Sequence, residues 1–163
     1  LLCMGCPDEE FQGFSGMGKR PVYVSVDELD NIENLAPQEI EQTGPIFLQN
    51  DLFFMVDLGK GIHVFDVADG QQESALTFIK IPAVSDFTVD GNTLFCDSWT
   101  DLIAIDISDI FDVQLLSRTA DVFDPLLFPP LFAGIFECID LERGAVVGWE
   151  DAMLDNALCE IFN

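Results

Sequence analysis

Positive charge is what this chain most lacks. Only 6 Lys+Arg stand against 30 Asp+Glu in 163 residues, for a formal net charge of −24. Nucleic acid is nearly excluded as a partner, because binding it needs cationic side chains that displace phosphate counterions. An anionic lipid surface would repel the same chain. Histidine is almost missing as well: His63 stands alone, so imidazole-rich metal sites and paired-His chemistry would need a partner chain. The alternating pattern around it makes His63 a half-exposed strand residue. No stretch of about 18 apolar residues occurs, and a bilayer-spanning helix is excluded. There is no G-x-S-x-G nucleophile elbow. Nor does a Gly-rich loop lead from a strand into a helix: Gly13, Gly16 and Gly18 precede Pro21 with no strand ahead of them, so no phosphate cradle is expected.

What is present is apolar. Hydrophobic residues make up 49% of the chain and Phe supplies 15 of its aromatics, too much for a disordered acidic tail. The length suits one domain or part of a larger one. Five cysteines occur, Cys3, Cys6, Cys96, Cys138 and Cys159. Cys96 lies in an apolar strand pattern and packs as a small hydrophobe. Setting the two terminal ones aside, either one bridge plus a buried thiol or three buried thiols fits the count. Of the pairs, Cys138 with Cys159 is favoured.

Along the chain, residues 7–20 read as a flexible acidic tether for their glycines and lack of periodicity. Residues 21–24 are extended. Ser25-Val26-Asp27-Glu28 offers a capping box, with Asp27 and Glu28 favourable at a helix N-terminus. A helix over about 26–32 would place Val26, Leu29 and Ile32 on one face, where it would cover an edge or end of the following sheet. From Gly44 the period changes to two, and strands are predicted at 45–48, 52–57, 61–66 and 74–79, separated by turn residues. The pattern repeats at 86–89, 93–97, 101–106 and 114–118. Asp66-Val67-Ala68-Asp69 and Asp106-Ile107-Ser108-Asp109 lie 40 positions apart. Four strands per unit at a period of about 40 is the arithmetic of a propeller blade.

After Phe123 the pattern weakens into an apolar, proline-rich connection holding Phe123, Leu126, Leu127, Phe128, Leu131 and Phe132. Such a loop either packs across an open sheet end or docks on a partner. Residues 135–140 and 145–150 read as the two-stranded start of a third unit, and 151–163 as a helical turn or frayed end. The expected architecture is therefore all-β, with antiparallel four-stranded blade-like repeats and one short N-terminal helix. Its segments are 1–20, tether and leader; 21–43, strand, helix and linker; 44–82, first repeat; 83–123, second repeat; and 124–163, connection and partial third unit.

The acidic residues invite two chemistries. Asp66, Asp69 and Glu73 flank Gly70, and Asp106, Asp109 and Asp112 occupy the equivalent loop, an oxygen-rich setting that suits calcium. The EF-hand spacing is absent, and an Asp closing a strand more simply accepts from its own turn backbone. Paired carboxylates serve glycoside hydrolysis, but no pair here is singled out by its context. No catalytic residue, metal ligand or cofactor is assigned. Trp99, Phe128 and Trp149 are the candidate partner-binding anchors, as large side chains near turns; core packing explains each of them equally.

Two resemblances add to this. The opening Leu1-Leu2-Cys3-Met4-Gly5-Cys6 resembles the end of a bacterial lipoprotein signal peptide, with Cys6 as the lipid-bearing residue. It departs from the pattern at Cys3, where an aliphatic residue is usual, which leaves Cys3 as an alternative acceptor and an ordinary N-terminus as the plain reading. The acidic run behind it is similar to the export signal of some Bacteroidetes surface lipoproteins, or is simply a solvated tether. Residues 59–66 and 101–109 resemble the LVIVD-repeat family of secreted or lipid-anchored β-propeller-like proteins. That resemblance spans about residues 20–150 and implies a propeller, or the N-terminal portion of one, at the cell envelope. The family supplies no catalytic set to carry over, and its members have several more repeats. Together these imply a non-catalytic, lipid-anchored outer-membrane protein facing the cell surface or periplasm. It would act through protein–protein contacts, as an accessory subunit of an outer-membrane assembly. The alternatives are a carbohydrate- or calcium-dependent surface binding module, and a truncated propeller fragment without independent function.

Overall fold

A computed structural model describes residues 13–68, 74–125, 127–130 and 132–161. Strand β1 (Phe14–Val24) leads through a 3-10 helix (Val26–Asp30) to β2 (Glu33–Leu35). The strands β3 (Thr43–Gln49), β4 (Leu52–Asp57), β5 (Gly61–Asp66) and β6 (Ser74–Lys80) follow, then β7 (Phe87–Asp90), β8 (Thr93–Ser98), β9 (Asp101–Asp106) and β10 (Gln114–Thr119). Last come β11 (Gly134–Phe136), a second 3-10 helix (Leu141–Arg143), β12 (Ala145–Ala157) and β13 (Cys159–Ile161). Among the described residues the chain is mostly β, in largely antiparallel sheets that close no barrel.

The first meander runs in the order β2-β6-β5-β4-β3 and the second in the order β10-β9-β8-β7. Their strand bounds follow the period-two runs closely, because Asn50, Gly59, Gly91 and Trp99 take positive φ and turn the chain between them. The two meanders stack face to face. Phe54, Val56, Ile62, Val64 and Ile79 of the first meet Val89, Leu94, Cys96, Ile103 and Ile105 of the second in one buried cluster. The Phe87 ring lies 6.2 Å from Phe47 and 6.3 Å from Phe54 across this core. Removing each such side chain from water stabilises the fold by roughly 1.5–3 kcal/mol.

Asp66 Oδ1 accepts from Ala68 N at 2.9 Å, and Asp106 Oδ1 from Ser108 N at 2.8 Å. These strand-closing aspartates thus serve their own turns. Asp140 Oδ1 does the same for Glu142 N at 3.0 Å. A second repeated device lies 40 positions apart: Asp57 accepts from the amides of Glu41 and Gln42, and Asp97 from those of Ser85 and Asp86. Each pins the segment that enters the first strand of its meander.

Three expectations are corrected. Residues 14–20 are no tether but the first half of β1, which pairs antiparallel with β12 from Phe14↔Ala157 to Val24↔Ala145. The glycines there permit close packing rather than freedom: a Cβ on Gly18 would fall 2.4 Å from the Ile135 carbonyl oxygen. Residues 151–157 are neither helical nor frayed, since they extend β12, with Ala152 and Leu154 buried and Met153 and Asp155 exposed in strict alternation. And β11 does not form a hairpin with β12. The order of this sheet is β12-β1-β11-β13, so the N-terminal strand inserts between two C-terminal ones and runs parallel to β11. Both ends of the described chain build this terminal sheet, whose buried cluster of Ala152, Leu154 and Ala157 is its own.

The short helix is also reshaped. Among the described residues it is a five-residue 3-10 helix rather than a run to Ile32. Glu28 reaches back to Ser25 N at 2.9 Å, but the Ser25 hydroxyl donates to that same carboxylate, and Glu28 N bonds the Ser25 carbonyl. Leu29 is buried, whereas Val26 is 57% exposed, so the two share no apolar face.

A disulfide joins Cys138 to Cys159, 21 positions apart in sequence. It locks β13 to the segment leaving β11. Closing a loop of that length restricts the unfolded chain by an amount worth about 3 kcal/mol. The Cys138→Ser/Cys159→Ser double variant should therefore lose about that much unfolding free energy, seen as a lower urea midpoint, with a slope equal to or steeper than the native chain's because its unfolded state is less restricted. Cys96 is buried in the inter-meander core, where loss of solvation pushes its thiol well above the usual range.

Candidate functional site

The face of the first meander turned away from the second carries an unusual row of side chains. Register aligns Leu48 with Phe53 and Phe65, and Ile46 with Met55, His63 and Phe78. Phe53 and Phe65 rings lie 5.9 Å apart, and His63 sits 6.1 Å from Phe65 and 4.7 Å from Phe78. An aromatic ladder thus crosses the sheet. His63, expected to be half-exposed, is 3% exposed within it. Its Nε2 lies 3.3 Å from Asp57 Oδ2, and both side chains are buried. Burial alone would raise the Asp57 carboxyl, but the amides of Glu41 and Gln42, together with His63, outweigh it and hold the group below its ordinary pKa.

Asp57 and Phe78 also line a cleft of about 630 Å³ between this meander and the terminal sheet. Val24 and Val147 of the terminal sheet, Leu35 and Phe78 of the meander, and Gln38, Glu39 and Glu41 of the linker line it. That volume falls within the range of small-ligand pockets. Lys60 and Lys80 reach it, yet each is paired, with Glu41 and Glu33 respectively. The other cations are paired too: Lys19 with Asp151, Arg20 with Glu137 and Glu150, Arg118 with Asp30 and Asp101, and Arg143 with Glu137. All 6 Lys+Arg of the chain are engaged in this way, which leaves a large surplus of unneutralised carboxylates.

The predicted anchors do not converge. Trp99 follows β8 in a positive-φ turn and is half-buried at the junction of the sheets, on the cluster of Leu29, Ala83 and Ala145 that Val24 and Val147 also cover. Trp149 is half-buried on β12, with its ring edge-on to Phe136 at 5.8 Å. Phe128 is 48% exposed, beside a fully buried Pro129 that holds the connection down. Val122, Phe123 and Leu127 of the same connection are exposed as well. Cys6 and Cys3, Asp69, Gly70 and Glu73 of the first acidic loop, and Leu126 and Leu131 of the connection lie outside the described residues. Among the described residues no group of three or more His, Cys, Asp and Glu side chains is placed to hold a metal ion. No helix among them is long and apolar enough to cross a membrane.

Sequence reasoning missed the aromatic ladder and the Asp57–His63 pair. The signal was present: Leu52-Phe53-Phe54-Met55-Val56 is a continuous apolar run, the mark of a strand covered on both faces rather than one. No family model, curated protein or solved structure matches the chain.

Proposed function

We propose that this protein is a lipid-anchored component of a bacterial cell envelope, built of blade-like β-meanders, that works through protein–protein contacts without catalysis. The observation that carries this reading is where its large apolar side chains are exposed. They stand at open sheet margins, Ile46 and Leu48 on β3 and Leu115 and Leu116 on β10, and along the connection through Phe123, Leu127 and Phe128. Soluble single chains seldom carry such side chains together at the margins of a sheet. The Cys138–Cys159 bridge supports an oxidising, exported location. The leader-like Leu1–Cys6 stretch supports attachment through an acyl group on Cys6.

The reading is tested on the chain extracted from its native membrane. A mature species that starts at Cys6, carries acyl mass and migrates in a complex larger than itself is expected. Phe128→Ser combined with Leu116→Ser should shrink that complex without lowering the melting temperature by more than about 2 °C, as expected for exposed positions. An unacylated chain that retains Leu1 and runs as a free monomer would overturn it. If instead the complex is absent and melting rises with calcium or a glycan, a surface binding module is the function.

A further inference from the structure

We propose that the outer face of the first meander is a docking surface for a basic protein partner, an inference that rests on the contact function above and gives it a surface. Ile46 and Leu48 are 62% and 63% exposed at one margin of the aromatic ladder. Phe53 and Phe65 behind them are half-buried. This sheet is therefore apolar on both faces, while only one is covered by the second meander. The second meander ends differently. Its outer face sets Thr88, Asp97, Ser117 and Thr119 among Phe95, Leu102 and Ala104. That mixture suits water, like the polar outer face of an end unit in a stacked array. The first meander is open only along its β3 side, at Ile46, Leu48, Phe53 and Phe65; Met55, His63 and Phe78 beyond them are already buried.

Contact at this face runs through side chains rather than an added strand. Pro45 sits in β3, the free edge, where it offers no N–H, and the register slips between Thr43 and Ile46. Charge selects the occupant. Exposed Asp51 lies in the turn between β3 and β4 beside this margin, and every cation of the chain is already paired. A second copy would bring another net charge of −24 against the first. The complementary partner presents an apolar surface flanked by Lys and Arg, which the acidic rim also attracts over a distance.

The test uses the full chain and a synthetic amphipathic peptide whose apolar face is flanked by lysines. Fluorescence anisotropy should show binding that weakens with salt. Ile46→Gln/Leu48→Gln, which leaves the net charge unchanged, should weaken it by at least about tenfold through lost apolar burial. Val26→Gln, an equally exposed apolar position elsewhere, should leave it unchanged. Equal binding by the wild type and the double variant would mean adhesion by charge alone and would overturn the proposal. So would an equal loss in Val26→Gln, or no binding by the wild type. Sedimentation should find a monomer; a dimer that the double variant dissociates would make a second copy the occupant and overturn the basic partner. The contact function itself fails separately, when no complex is recovered from the native membrane.

Discussion

Gly59→Ala is expected to destabilise the protein by at least about 3 kcal/mol, combining a left-handed backbone cost with a steric collision inside a packed junction. Gly59 has φ +77, and a Cβ there would meet the Val147 carbonyl oxygen at 1.6 Å. The neighbour is backbone of β12, so no side chain can rotate away. The residue is also held by its own hydrogen bonds, N to the Val84 carbonyl at 2.7 Å and carbonyl to Ala83 N at 2.9 Å. Relief therefore requires the terminal sheet to lift off the turn between β4 and β5. Trp99 reports that movement, because it packs on the same Leu29–Ala83–Ala145 cluster as Val147. In a Trp149→Phe background, the Gly59→Ala variant should show red-shifted Trp99 emission and a lower urea midpoint. Gly91→Ala is the control. Its φ is +58 but nothing lies within 4 Å of the added Cβ, so only the conformational cost of about 1–2 kcal/mol remains. Equal losses in the two variants would show that the Val147 contact does not hold the terminal sheet in place.

The strands of the two meanders were legible because local chemistry specifies them. Runs such as Gly61–Asp66 and Asp101–Asp106 are bounded by turn-forming residues and closed by an Asp that bonds its own turn. The terminal sheet was not, since it depends on pairing residues some 120 to 140 positions apart, such as Lys19 with Asp151. Nothing local to Gly16 or Gly18 distinguishes a glycine that lets strands approach from one that loosens a tether. The alternation in Ala152-Met153-Leu154-Asp155 was obscured because its exposed member Met153 is itself apolar. At the candidate site, His63 was misplaced for a different reason. An alternating strand was assumed to have one wet face, whereas its flanking strands are apolar on both. Phe128, Trp99 and Trp149 were picked as large side chains near turns, and neither feature separates a core anchor from an exposed one: Trp99 packs at the sheet junction and Phe128 faces solvent.

Asp57→Asn is expected to cost at least about 2 kcal/mol at neutral pH, since an amide supplies one acceptor where two are used. In the native chain, Oδ2 accepts from Glu41 N at 3.0 Å and Oδ1 from Gln42 N at 2.9 Å, with His63 Nε2 at 3.3 Å from Oδ2. The Asn NH2 would face one of these donors at a side chain that is itself buried. The same pairings, outweighing the penalty of burial, hold the Asp57 carboxyl below its ordinary 3.8. Burial likewise would raise Asp101, but Arg118 and the Asp121 amide outweigh it and lower that group too. A carboxylate depressed in the folded state contributes stability that is full above its unfolded pKa and is lost as pH falls through the folded value. Stability of the native chain should accordingly drop below about pH 3.8. The gap between wild type and Asp57→Asn should narrow across the same range, because the variant has no proton to take up at this site. Urea unfolding followed from pH 7 down to pH 2 measures both quantities. A gap that stays constant to pH 2 would mean that the Asp57 charge does not hold the linker to β4, and that Asp57→Asn acts only through packing.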